Sequence, residues 1–213
     1  MSANISHHIP TEIMAAYAAG SLGNAYSLVV AAHVSMCDAC RADLAAHEAA
    51  GGAVLDTMAV ETVSNDLFAR VLDHLDDPIE PEPAPQRRTG IYPGPIMEAL
   101  KGQQPRWKSV GGGVKQCLIG GSEEGMSRLL FIPPEQAVPD HGHHGLELTM
   151  VLQGGFSDET GHFDVGDVEV ADADLDHVPI ADAGAPCIVV AATNAPLKFN
   201  TFMPRLLQPF FGI

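Results

Sequence analysis

Two domains of different class are predicted: an all-α helical bundle at the N-terminus and an all-β antiparallel sandwich or barrel at the C-terminus. Three observations carry this reading. Residues 1–77 are alanine-rich with helical periodicity. The span 76–95, DDPIEPEPAPQRRTGIYPGP, contains six prolines and reads as an extended, semi-rigid hinge. Beyond it, short β-rich runs are separated by Gly, Pro and Asp. The predicted boundaries are 1–77 for the bundle, 78–94 for the linker and 95–213 for the β-domain. At 213 residues and 46% hydrophobic content, the chain can bury both cores.

The elements follow in order. TEIMAAYAAGSL, entered from Pro10-Thr11, reads as a first helix ending near Gly20. A longer helix is expected from about Ala25 to Ala50, stopping at Gly51-Gly52. In SNDLFARVLDHLDD, residues Leu67, Val71, Leu72 and Leu75 fall on one stripe, with Ser64 or Asn65 able to cap it. Three or four helices in so short a segment make a small core, which usually needs a staple.

The staple is sought in AAHVSMCDAC. His33, Cys37 and Cys40 stand at i, i+4 and i+7, which share one face of an α-helix. Zinc takes four N or S donors, so one donor is missing locally, and the pair His7-His8 precedes the first helix. Competing readings are weaker. Redox C-x-x-C would follow a strand in a βαβ setting, haem attachment would need His after Cys40 where Arg41 stands, and a disulfide within one helical turn is strained. Simple packing of three buried side chains is the bland alternative. The first basic residue is Arg41 and no apolar run approaches a membrane span of about 20 residues. A cytoplasmic location with reduced thiols is therefore expected, and no membrane association. The net charge of −16 argues against direct nucleic-acid binding and suits a basic protein partner.

The H-x-x-x-C-x-x-C pattern preceded by HHIPTEIMAAYAAGSL resembles the zinc-binding domain of ChrR-type anti-sigma factors, over about residues 7–77. The resemblance implies that a histidine before the first helix completes the zinc site. By position this is His8, with His7 in reserve. It further implies a 1:1 complex with a sigma factor of the extracytoplasmic-function (ECF) class. The Leu67/Phe68/Val71/Leu75 surface is more apolar than a helix beside a linker tolerates alone, so it meets a partner or its own bundle.

In the C-terminal part, SRLLFIPP, LELTMVLQGGF, DVEVADAD, CIVVAAT and LKFNTFMP read as strands. DHGHHGLELTMVLQGGF holds His141, His143 and Glu147, with His177 thirty residues on. Three imidazoles and a carboxylate suit Zn, Fe, Mn, Ni or Cu, and donor type does not choose among them. This spacing resembles the two motifs of the cupin barrel. Glu135 replaces the first motif's leading Gly, and Asp172, Asp174 and Ala181 replace Pro, Gly and Asn of the second. Those departures fall on turn residues, and the metal set His141, His143, Glu147 and His177 is intact. His47, His74, His144 and His162 read as solvated, and Cys117 and Cys187 as strand residues. The tail MPRLLQPFFGI is expected to cover the barrel edge.

Two functions compete. A cupin alone would suit a metal-dependent dioxygenase, with Arg128, Gln153 and Lys198 the main candidates for orienting a substrate. Fused to a zinc-stapled module, it reads instead as a non-enzymatic sensor. ChrR-type proteins release their sigma factor in response to singlet oxygen and related oxidants, and the resemblance implies the same here. The expected cofactors are zinc in the helical site and zinc or another divalent transition metal in the cupin.

Overall fold

The computed structural model describes residues 5–78, 81, 84–122, 125–138, 141–142, 145–172, 176–194 and 198–199. His143 and the tail MPRLLQPFFGI lie outside the described residues, as do the side chains of His141 and Lys198.

The helical part comprises α1 (Thr11–Ala18), α2 (Asn24–Val34), α3 (Asp38–Thr57) and α4 (Leu67–Asp73). The single helix expected from Ala25 to Ala50 is two helices. The chain leaves α2 at Ser35 and re-enters a helix at Asp38, with Cys37 extended between them (φ −106°, ψ 112°). The Cys37 side chain marks the break: its Sγ accepts from the Cys40 N–H and so caps the start of α3. At the other end α3 runs through Gly51-Gly52 to Thr57, because both glycines are exposed and the helix continues around them. Asp66, rather than Ser64 or Asn65, stands at the N-cap of α4.

A short helix α5 (Gly94–Ala99) lies between the proline-rich span and the sheets, with Pro in its first turn and Ile96 and Met97 buried. The β-domain then carries β1 (Lys108–Gly111), β2 (Val114–Ser122), β3 (Gly125–Ile132), β4 (His141–Gly142), β5 (Glu147–Gln153), β6 (Phe156–Ser157), β7 (His162–Phe163), β8 (Val168–Ala171), β9 (Asp176–His177), β10 (Ile180–Ala181), β11 (Cys187–Thr193) and β12 (Lys198–Phe199). Every pairing among them is antiparallel. The main sheet runs β1-β2-β3-β11-β5-β8, beside the three-stranded sheets β10-β6-β7 and β12-β4-β9. This is the all-β sandwich that the sequence predicts.

Strand parity explains how helices and barrel fit together. Along β5, Leu148, Met150 and Leu152 join Leu129, Ile188 and Val190 in a core that also contains Met14, Val29, Val30 and Ala32 of the helices. The opposite face contributes Val151 and Val189, which pack with Ile132, Phe156 and Phe163 inside the barrel. The main sheet is therefore buried on both faces, with an apolar face under the helices and, toward the barrel interior, a mixed face that adds Arg128, Glu147, Thr149 and Glu169 to the apolar cluster. Tyr26 of α2 ties the layers, its hydroxyl donating to Leu146 O at 2.7 Å.

Candidate metal centres

The first centre forms where three separate segments meet. His8 lies on an arm before α1, His33 in the last turn of α2, Cys37 at the N-cap of α3 and Cys40 in its first turn. Their donor atoms all lie within 4.8 Å of one another. His33 Nε2 is 3.2 Å from Cys40 Sγ, and His8 Nδ1 is 3.3 Å from Cys37 Sγ and 3.6 Å from Cys40 Sγ. A tetrahedron with metal–donor bonds of about 2.0–2.3 Å has edges of roughly 3.3–3.8 Å, so this donor set fits zinc in type and in spacing. The helix break is what allows the convergence, since it turns Cys37 and Cys40 back toward His33.

Electrostatics agree with that chemistry. Burial lowers the His33 pKa and keeps its imidazole neutral, the ligating form. Its Nδ1–H donates to Gly166 O at 2.8 Å, which leaves the Nε2 lone pair facing the thiols. Burial also raises the Cys40 thiol to about 11, with Cys37 adding to the rise. A bound cation reverses this preference and takes the thiolate. His7 does not join the cluster. Its Nδ1 is 3.2 Å from Asp167 Oδ2 and its ring lies 4.5 Å from Phe163.

Of the second set of predicted donors, Glu147 and His177 are described with their side chains. Glu147 opens β5, buried, and accepts from Thr149 Oγ1 at 2.8 Å. The β4–β9 register places the backbone of His141 opposite that of His177. His177 is buried, and its Nδ1 is 2.7 Å from Asp158 Oδ2 and 3.2 Å from Glu169 Oε1. Among the described residues, the tight donor group here is Asp158, Glu169 and His177, with Glu147 standing on the neighbouring strand. Burial alone would lower the His177 pKa, but Glu169 and Asp158 raise it to about 9. Glu169 is itself pushed up to about 7, chiefly by burial. Asp158 is held below the usual carboxylate range because hydrogen bonds from Glu169, Thr160 and His177 outweigh its burial.

Sequence patterns do not mark Asp158 or Glu169. Parity along β8 carries a signal for the second: Glu169 pairs with Thr149 and shares the inward face with it. Asp158 comes from a turn and has no such signal. The substrate-orienting candidates also sort themselves. Gln153 donates to Pro186 O at 3.0 Å and serves the loop there. Arg128 is buried, with its pKa lowered by burial and raised by nearby Glu147. Glu135, where the cupin motif has Gly, adopts φ 59°, the left-handed conformation that explains the motif's preference. Cys187 is fully buried, and burial pushes its thiol up to about 12.

A third feature is a surface. From the C-terminal half of α3 through α4, Val54, Leu55, Met58, Val60, Val63, Phe68, Val71, Leu72 and Leu75 are all exposed, Val60 to 97% and Phe68 to 75%. No residue of α4 is buried. The stripe expected on that helix exists and does not pack on its own bundle. Among the described residues, no helix is long and apolar enough to cross a membrane.

Comparison with known proteins identifies the family. Residues 97–195 match a family described as the ChrR cupin-like domain. The chain is 49% identical, over 212 residues, to the anti-sigma-E factor ChrR of Cereibacter sphaeroides, covering 98% of this chain and 99% of that one. It is also similar to the crystal structure of Rhodobacter sphaeroides SigE in complex with the anti-sigma ChrR. That match has 45% identity and a TM-score of 0.79, covering 89% of this chain and 99% of the other.

Proposed function

The chain belongs to the ChrR family of anti-sigma factors, and from that premise we propose that it sequesters an ECF sigma factor in a 1:1 complex and releases it on an oxidative signal received through the cupin. Its role is regulatory and not catalytic. The observation that carries the reading is the exposed apolar ribbon from Val54 to Leu75, continuous with α3, whose first turn carries Cys37 and Cys40. A monomer that leaves nine large apolar side chains in water along one segment is built to cover them with a partner. The excess of acidic residues complements the basic surface by which a sigma factor reads DNA, and would steer the encounter. Those basic surfaces are in the cytoplasm, where this chain would work.

His8, His33, Cys37 and Cys40 hold a structural zinc in this reading, and the ion cross-links the arm, α2 and α3. The chain's own residues prepare the site. Gly166 O fixes the His33 tautomer, and the Cys37 cap sets the angle between α2 and α3. In the barrel, His141, His143, Glu147 and His177 would hold a divalent transition metal in the same reading. Asp158 and Glu169 occupy Nδ1 of His177 and so present Nε2 to it. An oxidative signal received by the cupin would have to weaken the clamped conformation relative to the free one. Switching most of the population requires a difference of a few kcal/mol.

Co-expression tests the reading. The full chain and its ECF sigma factor should co-purify 1:1 and the complex should be unable to join RNA polymerase. A chain that leaves sigma-dependent transcription untouched would refute it.

A further inference from the structure

The arm carrying His8 has no helix or strand of its own, yet it is fixed by the barrel. Ser6 N–H and His7 N–H both donate to Asp167 Oδ1, at 2.7 and 2.9 Å. Val168 N–H donates to His7 O at 3.2 Å, and Ile5 fills the space where a Cβ on Gly166 would stand. Asp167 is 1% exposed and is itself held by the turn between β7 and β8, since Asp164 N–H donates to its Oδ2 at 2.9 Å. Next to it, Gly166 O takes the Nδ1–H of His33 at 2.8 Å. Two successive barrel residues therefore hold His33 directly and the two residues that precede His8, across more than a hundred residues of sequence.

We propose that Gly166-Asp167 is an outer support of the N-terminal metal site and that Asp167 is its positioning residue, through which the barrel keeps His8 on the zinc. The proposal rests on the zinc reading above. The physical argument concerns the fourth ligand. His33, Cys37 and Cys40 are placed by helices packed into the core, whereas His8 is exposed and reaches the thiols from the arm before α1, with buried Ile9 on one side and the Asp167 contacts of Ser6 and His7 on the other. Without the carboxylate the arm samples many conformations, and the local concentration of His8 at the metal falls. Loss of an outer-shell partner commonly weakens a metal site roughly 10–100-fold.

The test is the rate at which zinc leaves the full-length chain to a chromogenic chelator. Asp167→Ala should accelerate release roughly 10–100-fold. Ser6→Pro, which deletes both the N–H and the hydroxyl donor of Ser6 to Asp167 from an exposed arm and leaves the barrel intact, should accelerate it several-fold. Hydrogen exchange at the His7 amide should rise in both, while the amides of β5 and β11 stay protected. Cys40→Ser reports the zinc reading separately. If the wild-type chain holds no zinc that Cys40→Ser removes, the reading of the site fails. If it holds that zinc and both variants release it at the wild-type rate, the role given to Asp167 is overturned. Faster release from Asp167→Ala together with loss of β5 and β11 protection would leave Ser6→Pro to decide, and a wild-type rate there overturns the proposal.

Discussion

Phe68→Ala should weaken capture of the sigma factor without destabilising the free chain. In the free chain Phe68 is 75% exposed and no residue of its helix is buried. A phenylalanine side chain offers roughly 150–250 Å², so about 110–190 Å² is in contact with water here. At ~25 cal/mol per Å², covering all of it would contribute about 3–4.5 kcal/mol. Alanine keeps the Cβ and partners rarely cover a side chain fully, which reduces the expected loss to about 2–3 kcal/mol, or roughly 30- to 150-fold in Kd. The assay is isothermal titration of the purified full chain with its ECF sigma factor, alongside thermal melting of the free chain. Melting should change by less than about 0.5 kcal/mol, as for other exposed positions. An affinity loss below threefold, at unchanged melting, would show that α4 is not part of the grip. The same loss accompanied by a large drop in melting would mean that the ring packs on its own bundle.

Three further outcomes are expected. Cys37→Ser should lower the metal content by one zinc per chain and loosen the junction between α2 and α3, read as increased amide exchange around Cys40, because it removes both a donor and the α3 cap. Glu135→Gly should stabilise the barrel by about 1 kcal/mol in denaturant unfolding, since Glu135 sits at φ 59° where a β-carbon is disfavoured; destabilisation would mean the glutamate side chain holds the turn. Tyr26 has its pKa raised from 10.0 to about 12, chiefly by burial. The unfolded chain therefore ionises first, so this contribution is complete below pH 10 and falls as pH rises toward 12. Tyr26→Phe should flatten that alkaline decline and lower stability near neutral pH by about 1 kcal/mol through the lost bond to Leu146 O; an unchanged alkaline slope would refute the assignment.

The pattern of legible and hidden features follows from where each constraint acts. Strands β3, β5 and β11 could be read because their apolar runs are local and long, and the short β8 because its apolar residues alternate with Glu169. The helix break at Ser35–Cys37 could not, since helical periodicity continues across it and only the Cys37 cap stops the ladder. Gly51-Gly52 misled in the other direction, as two exposed glycines lower helix propensity without meeting anything that ends the helix. Donor spacing pointed to His33, Cys37 and Cys40, and the choice between His7 and His8 needed the arm's path across Asp167. Asp158 and Asp167 are long-range partners set by turns, so their meaning appears only once the chain is folded. The shared core of helices and barrel was likewise invisible, because the proline-rich span suggests separation while α2 and the sheet pack face to face.

The most direct test is the affinity of the full chain for its ECF sigma factor before and after removal of the zinc held by His8, His33, Cys37 and Cys40. The account predicts a tight 1:1 complex that is lost when this zinc is stripped and restored when zinc is returned. Equal affinity in the metal-free chain would contradict it.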